Sequence, residues 1–479
     1  MPRRMYLRSL LFSLSTISLL PITTAVLLGA YFAFFNRSPQ DVTFFLVSLL
    51  LSLPLLALSY ALRNSPPLEV RDAFLVISLY WLLLPALSGV VFSATLGMSF
   101  LDGFFESLSA LSGAGFSFVN PESAPPVILL WRTSLQWLGG ISIVVIGGAF
   151  LPLFYSIVRS LYVVEIGAKL APTIISTVRT VFLLYVSLSI LSVALLLFAG
   201  MSFFDALNNG LTGIATGGMS TRASSFYHWY ERGQGEVLVA AMIIMIVGAT
   251  NFSDLYALTR GNLRSFLRSP EVRATGLLLA FLLPLGALTA NEGLPALFNV
   301  VSAITTTGFQ AGDISSEPDE HKILLIVAMI VGGATFSTAA GLKLKRVIVA
   351  AKALYLELSR PLAPAGAIRT LRVGDKEFDE RDVASVLSYM FLYALTLIAS
   401  SALLKVVLDL YGNSSHEYLD VLFETTSALS CVGLSVGIIS PELPLPAKLL
   451  VSLIIYIGRI EFVILYLLVG TYHRRKTTL

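Results

Sequence analysis

The stretch LFNVVSAITTTGF, residues 297–309, reveals how this chain is organised, because three other stretches repeat its pattern. Each stretch is moderately apolar, is too short to cross a bilayer alone, and ends in small or hydroxyl residues before a glycine. Nine positions before that glycine each stretch has a carboxylate or an amide, at Glu106, Asn208, Asn299 and Glu424. The other stretches are FFESLSALSGAGF (104–116), LNNGLTGIATGGM (207–219) and LFETTSALSCVGL (422–434), and the aligned glycines are Gly115, Gly217, Gly308 and Gly433.

The composition around these stretches is that of a membrane protein. Of 479 residues, 56% are hydrophobic and only 13% are charged, against roughly 25% charged in an ordinary soluble domain. This excludes a soluble globular enzyme, and a net charge of +3 is too small to indicate nucleic-acid binding. The single cysteine, the four scattered histidines and the lack of a nucleotide-binding glycine motif predict neither a metal centre nor a catalytic cofactor. We therefore expect a protein that is not an enzyme.

Apolar windows long enough to cross about 30 Å of hydrocarbon predict ten transmembrane helices. The first window is too long for a signal-peptide core and lacks a well-placed cleavage site, so we expect it to be retained. The predicted spans are residues 9–35, 43–62, 72–97, 126–154, 178–200, 236–258, 273–291, 323–351, 382–409 and 446–471.

The distribution of basic residues predicts that both termini are cytoplasmic. Most of the 32 Lys and Arg residues fall in segments that this orientation places inside, with nine of them in residues 343–381. Such an excess is typical of cytoplasmic loops. The sequence thus predicts a multi-pass protein of the cytoplasmic membrane, in contact with the lipid bilayer.

Each repeated stretch lies between two predicted spans on the outer side, which suggests a short helix that dips into the membrane and returns as extended backbone. Such backbone is tolerated at membrane depth only where it lines a watery cavity or is buried in protein. The polar residue near each helix start suits the positive end of the helix dipole, while the negative ends point inward and stabilise a cation. Glycine allows the carbonyls to turn toward an ion, as in potassium-channel filters.

The alternative is that these stretches are amphipathic loops whose glycines only allow close helix packing. Four copies in register on one side favour a pore instead. The predicted fold class is an all-α polytopic membrane protein of ten transmembrane helices, with four pseudo-fourfold helix, pore-loop, helix repeats around one central pore.

The chain resembles the TrkH/KtrB/HKT superfamily of potassium transporters over about residues 72–471, and its two extra amino-terminal helices make it similar to the TrkH family within that group. The resemblance implies two accessory helices in residues 1–68 and pore repeats in residues 69–172, 173–268, 269–375 and 376–479. The motifs that carry it are WRTSLQWLGGISIVVIGGAFLP, ATGGMSTR, NVVSAITTTGF, VGGATFSTAAGLKLKRV and IGRIEFVILYLL.

The resemblance also implies that backbone carbonyls of four tetrads form a selectivity filter for potassium, the transported substrate. In the plant branch a serine at the first critical glycine accompanies sodium selectivity, so Gly115 favours potassium. The first and fourth tetrads depart from the threonine-rich family pattern, which alters the side chains behind the carbonyls. The tetrads are Ser112, Gly113, Ala114 and Gly115; Ile214, Ala215, Thr216 and Gly217; Thr305, Thr306, Thr307 and Gly308; and Ser430, Cys431, Val432 and Gly433.

A run of small and hydroxyl residues interrupts the predicted span 323–351. Such residues lower the cost of leaving helical geometry, although a close-packed helix interface would use them too. The resemblance favours an intramembrane loop that obstructs the pore and acts as a gate, with Ala340 where many relatives have glycine. The run is Gly332, Gly333, Ala334, Thr335, Phe336, Ser337, Thr338, Ala339, Ala340 and Gly341.

Arg459 lies near the middle of the last predicted span, where an arginine costs roughly 2.5–3.5 kcal/mol on insertion scales. It could be a structural arginine, snorkelling or paired with Glu461. The resemblance instead implies an electrostatic barrier in the permeation path, beside the gate. Asn251 and Asp254 are candidates for pore or packing groups, and interhelical hydrogen bonding is an equal interpretation for Asn251.

The predicted function is potassium uptake through a gated single-file pore, down the electrochemical gradient. The alternatives are a sodium- or proton-coupled symporter, a less selective K⁺/Na⁺ channel, and the channel-like subunit of a potassium-pumping ATPase. Coupled transporters often have inverted repeats and several ionisable groups at the midplane, whereas these four repeats are parallel. The resemblance implies a homodimer bound to cytoplasmic TrkA-type nucleotide-binding regulatory subunits.

Overall fold

Helices make up nearly all of the regular structure in the computed structural model, which describes residues 3–66, 70–141, 174–359, 370–374, 376–412 and 416–461. In this part of the chain the one sheet is a hairpin of β1 (Leu371–Val373) and β2 (Lys376–Phe378), paired antiparallel. The first nine helices are α1 (Arg3–Phe35), α2 (Pro39–Ala61), α3 (Val70–Leu96), α4 (Phe100–Ser112), α5 (Pro126–Gly140), α6 (Ile174–Phe198), α7 (Phe203–Ile214), α8 (Tyr227–Tyr230) and α9 (Gly235–Gly248). The others are α10 (Phe252–Thr259), α11 (Leu263–Arg268), α12 (Pro270–Thr289), α13 (Gly293–Ile304), α14 (Asp319–Val331), α15 (Leu344–Leu358), α16 (Glu380–Leu410), α17 (Tyr418–Leu429) and α18 (Leu445–Ile460).

Six of the described helices are long and apolar enough to cross a membrane: α1, α2, α3, α6, α12 and α16. The pair α9 and α10 passes the same test only as one span bent by 105°. Large apolar side chains on these helices face outward, as expected of surfaces that contact lipid. Examples are Leu27, Leu50, Ile190, Leu277 and Leu410. The protein is therefore a multi-pass membrane protein.

Two predicted spans differ from continuous helices in informative ways. The prediction of one helix over 236–258 is wrong, because the helix ends at Gly248 and a new one begins after Asn251, whose side chain accepts a hydrogen bond from the backbone of Ser253. The predicted interruption of the span 323–351 is confirmed: α14 ends at Val331 and α15 begins at Leu344. The predicted spans 126–154 and 446–471 continue beyond the described residues, which contain α5 and α18.

Four short helices, α4, α7, α13 and α17, have 12 or 13 residues each. At 1.5 Å per residue they reach roughly 20 Å, too short to cross about 30 Å of hydrocarbon. The helices α4, α13 and α17 each pack against the helix that precedes them and the helix that follows them in the chain, and α7 packs against α6 and α9. The core surrounds them, with Phe105, Trp131, Phe298, Phe309 and Phe423 fully buried.

The first turns of α4 and α7 are stabilised by capping and charge, and that of α17 by charge. Ser99 caps α4 and Ser202 caps α7, each accepting a hydrogen bond from the backbone of the aspartate three residues later. These aspartates and Asp420 of α17 then form ion pairs with bases from neighbouring elements, which suits the positive end of a helix dipole. The pairs are Asp102 with Lys448, Asp205 with Arg222, and Asp420 with Lys322, at 2.5, 2.8 and 2.8 Å.

Candidate ion pathway

The chain leaves each short helix through the same backbone turn. We call the four segments that make this turn the return segments, residues 112–115, 215–218, 305–308 and 430–433. In each, the second and fourth residues have left-handed torsions, a region that favours glycine at the fourth position. The φ angles are +71° and +74° at Gly113 and Gly115, +49° and +81° at Thr216 and Gly218, +52° and +84° at Thr306 and Gly308, and +48° and +106° at Cys431 and Gly433.

The backbone geometry of the second return segment shows that the sequence alignment is wrong by one residue there. Gly113 and Ala114 donate backbone hydrogen bonds to Ala110 and Ser109, and the matching donors after α7 are Thr216 and Gly217. The glycine equivalent to Gly115 is therefore Gly218, so the predicted Gly217, and with it the tetrad Ile214–Gly217, stands one position early. Two adjacent glycines permitted either alignment, and only the backbone torsions distinguish them.

Backbone atoms of the four return segments contact one another in a closed ring, which we call the ring. A Cβ atom built on Gly115 would lie 3.0 Å from the carbonyl oxygen of Gly217 and 3.1 Å from that of Val432. On Gly433 it would lie 2.6 Å from the carbonyl oxygen of Ala114. On Gly218 and Gly308 it would overlap the carbonyl oxygens of Thr307 and Val432. Each segment thus contacts its neighbours through one equivalent set of four carbonyls, those of Ala114, Gly217, Thr307 and Val432.

The aligned polar residues have a different position from the one predicted. Glu106, Asn299 and Glu424 lie in the middle of α4, α13 and α17, so the prediction that they sit near the helix start is wrong. Each accepts a hydrogen bond from the backbone N–H twelve residues later, at 2.7 to 2.9 Å. The equivalent residue of α7 is Asn209 rather than Asn208, and it donates to the hydroxyl of Thr221, also twelve residues later. These side chains tie each returning backbone to its own short helix.

Two buried side chains of α5, which the sequence did not single out, also support the ring. The amide of Gln136 donates to the carbonyl oxygen of Gly217. Arg132 donates to Ser117 at 2.8 Å and to the carbonyl oxygen of Ser220 at 3.0 Å, and it pairs with Glu106 at 3.5 Å. Both residues follow the first return segment in sequence yet bond to the second repeat. No spacing in the sequence could have indicated that contact.

The segment between α14 and α15, residues 332–343, contains the run predicted to be an intramembrane loop; we call it the intramembrane loop, and it lies directly against the ring. The hydroxyl of Thr338 donates to the carbonyl oxygens of Gly248 at 2.8 Å and Ile214 at 3.0 Å. The backbone N–H of Ala340 donates to the hydroxyl of Thr306 at 2.7 Å. Of the ten predicted gate residues, Ala334, Thr338, Ala339 and Ala340 are buried side chains. The run of small residues thus contacts the second and third return segments.

Arg459 lies in the last turn of α18, which ends at Ile460. Its guanidinium donates to the carbonyl oxygen of Gly139 at 2.5 Å and stands 4.9 Å from the centre of the Trp81 ring. Glu461, the alternative partner of Arg459, forms an ion pair with Arg346 at 2.5 Å. Since Arg346 belongs to the first turn of α15, this pair joins the end of the intramembrane loop to the end of α18.

Asn251 and Asp254 lie at the break between α9 and α10. Asn251 caps α10 and donates to Glu271 at 2.9 Å, and Asp254 accepts a hydrogen bond from Ser269 at 2.7 Å. These bonds join α10 to the start of α12. For Asn251 they agree with the packing interpretation.

Comparison with known proteins places this architecture in a family. Residues 42–289 and 284–471 match the TrkH family, described as cation transport proteins. The chain is 29% identical to the Trk system potassium uptake protein TrkH of Escherichia coli K12, over 86% of this chain and 88% of that protein. It is also 29% identical to an uncharacterized cation transporter of Methanocaldococcus jannaschii, over 84% of this chain and 83% of the relative.

A solved structure gives the same result. The crystal structure of the potassium transporter TrkH from Vibrio parahaemolyticus matches with a TM-score of 0.83 at 26% identity, covering 96% of this chain and 98% of that one. The resemblance found in the sequence motifs is therefore confirmed over most of the chain. This chain belongs to the TrkH family of cation transport proteins.

Proposed function

We propose that this protein carries potassium into the cell through a pore lined by the four return segments. The observation that carries the proposal is the closed ring, in which equivalent carbonyls of Ala114, Gly217, Thr307 and Val432 lie against the glycines of neighbouring segments. In potassium-channel filters, rings of backbone carbonyls replace the hydration shell of a cation. Relatives along nearly the whole chain carry the name Trk system potassium uptake protein, which supports potassium as the substrate.

Four units would then surround the pore, residues 69–172, 173–268, 269–375 and 376–479, with residues 1–68 as accessory helices among the ten spans. In our proposal the filter residues are the predicted tetrads, with the second shifted to residues 215–218. The intramembrane loop and Arg459 would form the gate beneath them. Both termini would be cytoplasmic, and the family resemblance supports a homodimer that binds TrkA-type nucleotide-binding subunits.

The membrane potential is sufficient to drive this transport. A potential of 100 mV contributes about 2.3 kcal/mol for each charge that crosses. Each 1.36 kcal/mol is a factor of ten, so about fiftyfold accumulation of a monovalent cation needs no chemical fuel. The chain then works as a passive conductor rather than as a catalyst.

Ion-replacement flux into liposomes tests the proposal. The purified full-length chain, with and without its cytoplasmic partner, is expected to admit K⁺ faster than Na⁺ with only an imposed potential. Absolute dependence of K⁺ entry on a sodium or proton gradient would replace the pore by a coupled symporter. Equal rates for the two ions would indicate a less selective channel.

A further inference from the structure

A buried carboxylate joins the intramembrane loop to the broken span beside it. Glu271 is the second residue of α12, and its side chain is 7% exposed. One carboxylate oxygen accepts the backbone N–H of Thr335 at 2.6 Å, and the other accepts the side-chain amide of Asn251 at 2.9 Å. A single side chain therefore bonds to the loop and to the cap of α10 at the same time.

The loop has two sets of attachments, and Glu271 belongs to the set away from the ring. On the ring side, Thr338 and Ala340 bond to the second and third repeats. On the other side, the N–H of Ala334 donates to the carbonyl of Ala249 at 3.0 Å, and the carbonyl of Phe336 accepts the N–H of Phe252 at 2.9 Å. Thr335 lies between these two backbone bonds, and its own N–H is the one that Glu271 accepts.

The bond from Glu271 has features that the others lack. Hydrogen bonds to an ionised acceptor are shorter and stronger than neutral ones, and the bond to Thr335 is the shortest of those that hold this side of the loop. The carboxylate also sits in the first turn of α12, where the helix dipole favours a negative charge. Any displacement of Thr335 would leave a buried carboxylate with fewer donors, which is costly.

We propose that Glu271 is a positioning residue of the gate: its carboxylate holds the intramembrane loop seated between the ring and the broken span, and its removal favours the displaced, conducting loop. This inference rests on the proposed function, because it assumes that the loop obstructs the ion path. The residue acts through the loop and does not contact the ion.

Flux measurements test the effect on conduction. Glu271→Ala is expected to raise K⁺ flux per folded protein about tenfold, equivalent to about 1.4 kcal/mol, and Glu271→Gln to give an intermediate value because one acceptor oxygen remains. Glu236→Gln is the matched control, since it removes an acidic charge from the first turn of another helix, α9, where the side chain is exposed and away from the loop. Its flux is expected to equal that of the parent protein.

Thiol labelling tests the position of the loop without any transport. Thr335→Cys keeps the backbone N–H that Glu271 accepts, and the native Cys431 is buried, so the unsubstituted protein gives the background. A water-soluble maleimide is expected to label Thr335→Cys several-fold faster when Glu271→Ala is also present. Unchanged labelling overturns the inference, and so does faster labelling without increased flux in a conducting protein. If no variant conducts at all while labelling still rises, the proposed function fails and the positioning role stands.

Discussion

The return segments and the intramembrane loop touch each other, but they are held in place differently. Each return segment has two left-handed residues, and in the first, third and fourth repeats a side chain of the short helix binds the backbone twelve residues later. The second return segment is also held by Gln136 of α5, which donates to the carbonyl oxygen of Gly217. The intramembrane loop has its principal bonds to other elements: the break after α9, the start of α12, and the second and third return segments.

From this difference we infer that the return segments and the intramembrane loop have different roles in transport. A backbone fixed locally, with no space for a side chain at its glycines, can present carbonyls at one spacing and so discriminate between ions. A segment held by a few bonds to several neighbours can move when any one of those neighbours moves. We therefore expect substitutions in the ring to reduce or change conduction, and substitutions in the loop attachments to increase it.

The largest effect should follow Gly308→Ala. The added Cβ would overlap the carbonyl oxygen of Val432 in the next return segment, so one of the two backbones must shift. Overpacking of this severity costs about 3 kcal/mol or more, so K⁺ flux per folded protein should fall by about a hundredfold. Liposome flux, normalised to the amount of monodisperse protein, measures the effect.

Gly312→Ala is the matched control for that experiment. Gly312 has the same φ of +84° as Gly308, but the nearest atoms to its added Cβ would be those of the Tyr227 ring at 3.9 Å. It therefore carries the torsional cost without the overlap and should keep most of the flux. Equal losses in the two variants would mean that left-handed strain, and not the closure of the ring, limits conduction.

Gly115→Ser should change selectivity rather than abolish transport. A Cβ here would lie 3.0 to 3.1 Å from carbonyl oxygens of two neighbouring segments, so those carbonyls must yield by a few tenths of an ångström. We expect the K⁺ to Na⁺ flux ratio to fall about tenfold, or by about 1.4 kcal/mol of discrimination. Gly97→Ser, at a φ of +71° with open space around it, should leave the ratio unchanged. An unaltered ratio in Gly115→Ser would argue against a place for Gly115 in the filter.

The contrast between ring and loop also explains what the sequence could and could not predict. The four short helices, the glycines that end them and the break in the span 323–351 all follow from local composition and spacing. The register of the second return segment did not, because Gly217 and Gly218 fit the pattern equally well. The sequence did not predict the bend after Gly248. The carbonyl oxygens of Gly248 and Ala249 accept hydrogen bonds from the intramembrane loop, which lies far away in sequence.

Candidate residues divide in the same way. Gly115, Gly308 and Gly433 could be selected because a repeated backbone turn demands glycine at one position. Gln136 and Glu271 could not, because each acts on a segment more than 60 residues away and lies outside the four repeated stretches. Arg459 was noticed for its charge in an apolar span, yet its bond to Gly139 depends on how α5 and α18 pack.

Arg459→Ala should raise K⁺ flux by about fivefold. In the proposed permeation path, loss of the positive charge of Arg459 removes roughly 1 kcal/mol of repulsion toward a cation at an intermediate effective dielectric. Arg260→Ala, which removes an exposed charge stacked on Tyr256, serves as the control and should have no effect. If flux instead falls while folding and expression are maintained, Arg459 supports the packing of α5 through Gly139 and is not a barrier.

The smallest effect should follow Thr338→Val, which tests whether ring and loop are independent. The Thr338 hydroxyl donates to the carbonyls of Ile214 and Gly248 and accepts from the hydroxyl of Thr216 at 3.2 Å. Removing it costs the seated loop a net of about 0.5–1 kcal/mol, so K⁺ flux should rise about threefold. Thr338→Ser keeps the hydroxyl and should behave like the parent protein.

The ratio of K⁺ to Na⁺ flux in Thr338→Val shows whether the ring and the loop are independent. If the loop only obstructs the path, Thr338→Val raises K⁺ and Na⁺ flux together and leaves their ratio unchanged. If the bond to Ile214 and the contact with Thr216 also hold the second return segment in shape, the ratio falls as flux rises. A lower ratio would therefore show that the gate is part of the filter's support, because the second return segment would then depend on the loop for its geometry.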